Sequence, residues 1–171
     1  MLLGQEAQER HTIAVLVDNE AGVLARVAGL FSGRGYNIES LPGAEGPADH
    51  DGSRITIVAC GTPAVIEQIK AQLERLVPVR KVNDLTVEGP HLERELALVK
   101  VVGNGEKRVE ALRLADAFRA RVVDSTNKSF VFEITGATEK VEAFINLMRE
   151  LGLAEVARTG VAAIVRGPAS L

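Results

Sequence analysis

The spacing of apolar residues predicts strands and helices in a definite order along this chain, and few folds have that order of elements. Residues 12–17 and 54–60 form short apolar runs typical of strands, and each run precedes a segment whose apolar residues recur three and four apart, as in a helix. The first half reads strand, helix, two strands, helix, strand (βαββαβ). Two helices can cover one face of a four-stranded antiparallel sheet, so this order predicts a ferredoxin-like α+β domain.

Capping residues support both predicted helices of this half. The first begins at Val23 and ends at Gly33 and Gly35, which are typical of helix C-termini. The second begins with Thr62 as its cap and Pro63 in its first turn. We expect one face of the second helix to be buried through Ile66, Ile69, Leu73 and Leu76. The last strand of the half is predicted over residues 79–87.

The second half repeats this order of elements with negligible sequence identity to the first. A strand at 95–102 precedes a helix at 106–120, and a hairpin through Asn127 and Lys128 joins two further strands. A helix at 138–152 and an extended segment at 153–167 follow. The helix is expected to bury Val141, Phe144, Ile145 and Met148. With a boundary at Gly89–Pro90, we predict two ferredoxin-like domains with antiparallel sheets in tandem, at 12–88 and 89–171, after a flexible N-terminus at 1–11.

Composition excludes several classes of function. The 171 residues carry a net charge of −3 without a basic stripe, which gives no electrostatic basis for binding nucleic acid. The two predicted central strands contain no aromatic residue on which RNA bases could stack. No apolar run approaches the roughly 20 residues of a membrane span, and the N-terminus lacks the features of a signal peptide. We therefore expect a cytoplasmic protein with no membrane or nucleic-acid partner.

No residue pattern predicts catalysis or a bound metal. The single cysteine, Cys60, ends an apolar run and is expected to pack as a small hydrophobic residue. The residues Asp49–Asp51 (Asp-His-Asp) could hold a metal, but a solvated turn is favoured because a stable site needs about four ligands. The residues Gly103–Gly105 could cradle phosphate, although a simple turn and cap is favoured. These patterns indicate a binding protein rather than an enzyme.

The junction between the first strand and the first helix has two interpretations. Asp18 or Asn19 can cap the helix by accepting hydrogen bonds from its first amides. Alternatively, those amides bind the carboxylate of a small ligand, with Gly22 leaving room for its approach. Spacing alone leaves both interpretations open, and capping is the commoner use of such residues.

The sequence VLVDNEAGVLARVAGLFSGRGYNIESL at residues 15–41 resembles the ACT domain of the regulatory (small) subunit of acetolactate synthase. Its last part, RGYNIESL, is the most specific. The segments LVPVRKVNDL, HLERELALVKV and EVARTGVAAIVRG also resemble that family at corresponding places, so the resemblance covers residues 12–167. The first ten or so residues and the loop at 45–53 match nothing in the family.

The resemblance implies an amino-acid-binding ACT domain followed by a C-terminal α/β sandwich domain. It implies a subunit with no active site and no cofactor of its own. The expected partner is the thiamine-diphosphate-dependent catalytic subunit, on which Mg²⁺ and FAD are also expected. The small subunit would activate that partner and confer feedback inhibition by valine, or by leucine or isoleucine, in branched-chain amino-acid synthesis. The alternative is an ACT-type sensor of another enzyme, which the second half of the chain argues against.

The family also implies where the effector binds. Two ACT domains pair side by side in a homodimer and hold the effector between them. The residues carried over to one side of this site are Asn19, Ala21, Gly22, Val23 and Leu24, and those on the other side are Asn37 and Ile38 of the partner subunit. Helix amides would bind the valine carboxylate and the Asn37 carbonyl its ammonium group. Leu24 and Ile38 would contact the isopropyl group. With the resemblance included, the ligand interpretation of the junction is the favoured one.

Overall fold

The chain forms two compact units, and the first is discontinuous in sequence. A computed structural model describes residues 6–34, 37–40, 43–45 and 52–171, with side chains described over 6–32 and 52–171. The first unit comprises Met1–Leu92 together with Val161–Leu171, and the second comprises Glu93–Gly160.

The first unit contains the predicted βαββαβ order. Its elements are β1 (Glu9–Asp18), α1 (Val23–Arg34), β2 (Asn37–Ser40), β3 (Gly43–Glu45), β4 (Gly52–Gly61), α2 (Pro63–Glu74), β5 (Val79–Asp84) and α3 (Leu85–Glu88). The antiparallel sheet has the order β2-β4-β1-β5, and β3 also pairs with β4. This is the strand order of a ferredoxin-like sheet, which confirms the predicted fold class.

One face of this sheet is covered by the two long helices. Alternate residues of β1 and β4 point to this face, and they are buried against apolar residues of α1 and α2. The buried residues of this core include Ile13, Val15, Val17, Ile55, Ile57, Val27, Phe31, Ile66, Ile69 and Leu73. Thr62 caps α2 as predicted, because its hydroxyl oxygen accepts a hydrogen bond from the Val65 amide at 3.3 Å.

Two local predictions in this unit are wrong. Residues 9–11, expected in the flexible N-terminus, belong to β1, where they pair with the last residues of β4. The strand predicted over residues 79–87 stops at Asp84, and a short helix follows. The reason lies in the Asp84 side chain, which accepts a hydrogen bond from the Thr86 amide at 3.2 Å and so caps the helix.

The second unit repeats the order. Its elements are β6 (His91–Val102, of which the first two residues lie in the first unit), α4 (Gly105–Ala117), β7 (Arg121–Ser125), β8 (Ser129–Gly136), α5 (Thr138–Arg149) and β9 (Leu153–Arg158). The strand order is β9-β6-β8-β7. All four residues predicted to face inward from α5 are buried, together with Phe130 and Phe132 of β8. The predicted hairpin is present, since the Thr126 amide donates to the Ser129 carbonyl at 2.9 Å.

The C-terminal segment packs on the first unit. Val161 and Ala163, which respectively precede and belong to its strand β10 (Ala162–Val165), are buried against Ala14 and Val58 on the sheet face opposite the helices. Arg54 donates to the Ala163 carbonyl. The sequence pattern assigned this segment to the domain at 89–171. The structure groups it with the first unit because its alternate small apolar residues cover that sheet face.

Candidate functional site

The junction between β1 and α1 is an exposed loop held between two buried residues. Val17 and Val23 are both part of the core, whereas the residues from Asn19 to Gly22 are exposed. Gly22 has a φ of +81°, in the left-handed region, and a Cβ atom built on it would contact nothing within 4 Å. The backbone of the junction therefore has a conformation that favours glycine at position 22, and open space lies beside it.

Hydrogen bonding at this junction does not follow the capping interpretation. The Asp18 carboxylate pairs with Arg80, and the Asn19 side-chain oxygen accepts from the Ser53 hydroxyl at 3.4 Å. The Val23 amide donates to the Glu20 carbonyl at 3.4 Å. Within the described residues, the amides of Leu24 and Ala25 donate no hydrogen bond. Free amides in the first turn of a helix are available to an anion.

The side chains of the candidate residues differ in what they can offer a ligand. Val23 is only 5% exposed because it packs into the core, so it presents almost no side-chain surface. Leu24 is 47% exposed and is the apolar side chain available beside the free amides. Asn19, Ala21 and Gly22 are exposed.

Three charged or polar side chains at this site were missed by the sequence reasoning. Ser53 holds the Asn19 side chain, and Arg80 holds Asp18. The guanidinium of Arg26 lies 3.8 Å from the Glu20 carboxylate. Arg26 is four residues after Gly22, and helical spacing could have identified it. Ser53 and Arg80 reach the site through strand pairing, which leaves no local signal.

Asn37 and Ile38 lie at the other end of the same sheet. In β2 they pair with Cys60 and Ala59 of β4, and Cys60 is also level with Arg10 of β1. The junction instead follows Asp18, which pairs with Gly52. Cys60 and Gly52 are eight residues apart on β4, roughly 27 Å at about 3.4 Å per residue. One chain therefore keeps the two groups of candidate residues far apart. The side chains of Asn37 and Ile38 lie outside the described residues.

A separate polar cluster surrounds His11. The Nδ1 atom of its ring lies 2.6 Å from an Asp84 carboxylate oxygen, and the Nε2 atom lies 2.9 Å from a Glu9 carboxylate oxygen. Lys70 also contacts Asp84, at 3.3 Å. Burial lowers the pKa of His11, but the hydrogen bonds to Glu9 and Asp84 outweigh burial and raise the pKa above its usual value. A ring flanked by two carboxylates is fully bonded only when both nitrogens carry a proton.

The Gly103–Gly105 turn and Cys60 acquire no ligand chemistry within the described residues. Asn104 precedes α4 without a side-chain capping bond, and Gly105 has a φ of +60°, as in a tight turn. The residues Asp49–Asp51 lie outside the described part of the chain. Cys60 is half-buried in β4. In the described ranges, no group of three or more His, Cys, Asp or Glu side chains has an arrangement that could hold a metal ion. Among the described helices, none has the length and apolarity to cross a bilayer.

Comparison with known proteins matches both halves of the chain. Residues 13–81 match the family model of the AHAS small subunit-like ACT domain, and residues 94–167 match that of the small subunit of acetolactate synthase. A probable acetolactate synthase small subunit from Archaeoglobus fulgidus is 52% identical over 92% of this chain and 98% of its own length. The acetolactate synthase isozyme 3 small subunit of Escherichia coli is 43% identical, with coverages of 92% and 96%.

A solved structure agrees with the match. The crystal structure of the acetolactate synthase small subunit from Thermotoga maritima superimposes with a TM-score of 0.82 at 39% identity, and the alignment covers 94% of this chain and 99% of that one. Both family models, the full-length relatives and the fold thus point the same way, and this chain belongs to the family of acetolactate synthase small subunits.

Proposed function

We propose that this chain is a non-catalytic regulatory subunit that activates the catalytic subunit of acetolactate synthase and makes it sensitive to valine. The observation that carries the effector site is the β1–α1 junction, where the amides of Leu24 and Ala25 are free beside the open space at Gly22. Membership of the small-subunit family supports the identity of the partner. The thiamine diphosphate, Mg²⁺ and FAD of the reaction belong to the catalytic subunit in this proposal.

The chemistry of the junction suits a branched-chain amino acid. Its carboxylate would accept hydrogen bonds from the free amides, where the positive end of the helix dipole also favours negative charge. The Asn19 side chain, oriented by Ser53, would supply a further polar contact. The exposed Leu24 would contact the isopropyl group. Leucine and isoleucine satisfy the same chemistry, since one methylene changes binding by only about 1–3 kcal/mol.

A complete site in this proposal requires two copies of the chain. Asn37 and Ile38, which would bind the ammonium and apolar groups, are roughly 27 Å from the junction of their own chain at the strand spacing of about 3.4 Å per residue. They belong to β2, which ends the order of strands in the first sheet. Side-by-side pairing of two such sheets would satisfy the unpaired backbone groups of that edge. It would also let each chain complete the site of the other.

Acetolactate formation tests the proposal directly. The cognate catalytic subunit is measured alone and with the full chain, each with and without millimolar valine. Stimulation that valine reverses is the expected result. Stimulation without any valine response would retain the partner and overturn the effector site. No stimulation, combined with failure of the two proteins to co-elute, would overturn the regulatory assignment in favour of an ACT-type sensor of another enzyme.

A further inference from the structure

The outer strand β7 of the second unit exposes apolar side chains at a sheet edge. All five of its residues, Arg121–Ser125, are exposed, with Val122 at 44% and Val123 at 50%. In the described part of the chain, β7 is paired with β8 alone, so its other side presents unsatisfied amide and carbonyl groups. Exposed valines on an unpaired edge are typical of a strand that accepts another strand.

An irregularity in β7 places its two charged residues on one face. Arg121 pairs with Glu133 and Asp124 pairs with Val131, while the register shift between Val122 and Asp124 leaves Val123 unpaired. Glu133 and Val131 alternate with the buried Phe132, so they lie on the sheet face away from the helices. Arg121 and Asp124 therefore share that face, although residues three apart in a regular strand lie on opposite faces.

We propose that β7 pairs antiparallel with β7 of a second copy of this chain, with Arg121 of each copy opposite Asp124 of the other. Residues that face each other in an antiparallel pair must lie on the same face, and the register shift meets this condition. The same register places Val122 opposite Val123 of the second copy. The sequence Arg-Val-Val-Asp thus gives two opposite-charge pairs and two apolar pairs around a twofold axis.

Charge selects the second copy as the occupant of this edge. Among the described residues, no side-chain hydrogen bond or ion pair engages the Arg121 guanidinium or the Asp124 carboxylate, so both groups are available to pair across an interface. Asp124 lies opposite the apolar Val131, and Arg121 lies opposite Glu133 of its own sheet. A strand read in the reverse direction would therefore give Asp124 the cation that it lacks and would give Arg121 a second anion. This association is independent of the effector site, because β7 belongs to the second unit and the site residues belong to the first.

Paired cysteine variants of the full chain test the register. In a Cys60→Ser background, a chain with Val122→Cys is mixed with a tagged chain with Val123→Cys under mild oxidation. The expected product is a disulfide-linked dimer containing one chain of each kind. The matched control replaces the Val122→Cys chain with a Val109→Cys chain, whose cysteine stands at an exposed valine of α4 (68% exposed). Mixed with the tagged Val123→Cys chain, it should give little disulfide-linked dimer.

Charge reversal provides the decisive comparison. Arg121→Asp in both chains, or Asp124→Arg in both, creates like-charge pairs and should lower the yield of linked dimer by about tenfold. Placing Arg121→Asp on one chain and Asp124→Arg on the other restores opposite charges in both pairs and should restore the yield. Absence of the linked dimer, insensitivity to charge reversal or failure of the mixed variants to recover would each overturn the proposal. Valine inhibition is measured separately from dimer yield. The proposed pairing of β7 and the proposed regulatory function can therefore be contradicted independently.

Discussion

Gly22 is the residue at which the effector site can be tested with the smallest change. A Cβ atom at this position meets nothing within 4 Å, so Gly22→Asp would act on the site through its charge rather than through its volume. We expect this variant to abolish valine inhibition, since the new carboxylate would repel the ligand carboxylate and compete for the amides of Leu24 and Ala25. Acetolactate formation with increasing valine measures the loss.

Gly22→Asn is the matched control for that variant. Asparagine tolerates the φ of +81° about as well as aspartate does, and it has nearly the same size without the charge. It should retain more of the valine response, and both variants should retain activation of the catalytic subunit. Equal loss of inhibition in the two variants would indicate backbone strain and contradict the charge explanation.

His11 predicts a pH dependence of stability. Its pKa is raised in the folded chain, so the stability contributed by the protonated ring is complete below the unfolded value of 6.5 and is lost as pH rises through the folded-state pKa. His11→Gln should lower the free energy of unfolding by about 2 kcal/mol near pH 6 and by less near pH 9. Urea unfolding at both pH values measures the difference. A constant difference between the two proteins would show that the ring is not protonated in the cluster.

Single-residue roles were only partly predictable from sequence. The loop from Asn19 to Gly22 is exposed, and its backbone is left-handed at Gly22, as the junction pattern indicated. The burial of the adjacent Val23 and Leu24 could not be predicted from residue type, because both are apolar. Val23 is in the core, whereas Leu24 is half-exposed. Capping by Asp18 or Asn19, the less favoured interpretation of the junction, is not observed, because Arg80 and Ser53, distant in sequence, bind those side chains instead.

Among the elements, β10 and the residues beside it offer a clear test of packing. Val161 is 2% exposed against the first sheet, whereas Ile164 of β10 is 58% exposed. Val161→Ala should lower the free energy of unfolding by about 1–2 kcal/mol, because it removes buried methyl groups and leaves a cavity. Ile164→Ala, the larger truncation, should change it by less than about 0.5 kcal/mol. Urea unfolding of both variants provides the measurement, and equal effects would contradict the packing of this segment.

Predictions at this scale succeeded where the signal was local. Thr62 and Pro63 identified the start of α2, and the spacing of Val141, Phe144 and Met148 identified the buried face of α5. Prediction failed at α3, where Leu85, Thr86 and Val87 are residue types common in strands and only the Asp84 cap distinguishes the helix. The place of β10 depends on contacts with Ala14 and Val58, more than a hundred residues earlier, and no local pattern encodes them.

For the whole assembly, mixing two defective variants tests whether the effector site is shared between chains. Gly22→Asp damages the junction, and Asn37→His, which should weaken inhibition while sparing activation, damages the other side of the site. In a mixed dimer, one site combines both defects and the other combines the two intact sides. Valine inhibition should therefore return to a substantial fraction of its normal extent when the variants are mixed and refolded together.

Two controls define that experiment. Each variant refolded alone should activate the catalytic subunit with little valine response. Mixing the two without subunit exchange should also give no recovery. A refolded mixture that stayed insensitive to valine would contradict the shared site. Each chain would then have to form its site alone, although its own junction and its own Asn37 are roughly 27 Å apart at about 3.4 Å per residue.

The return of Val161–Leu171 to the first unit has a consequence for synthesis on the ribosome. Domains usually complete folding in the order in which they emerge, starting from the N-terminus. Here the second unit, Glu93–Gly160, leaves the ribosome before the residues that finish covering the first sheet. During translation, the face around Ala14 and Val58 therefore stays uncovered until Val161 and Ala163 have been made, after the whole of the second unit.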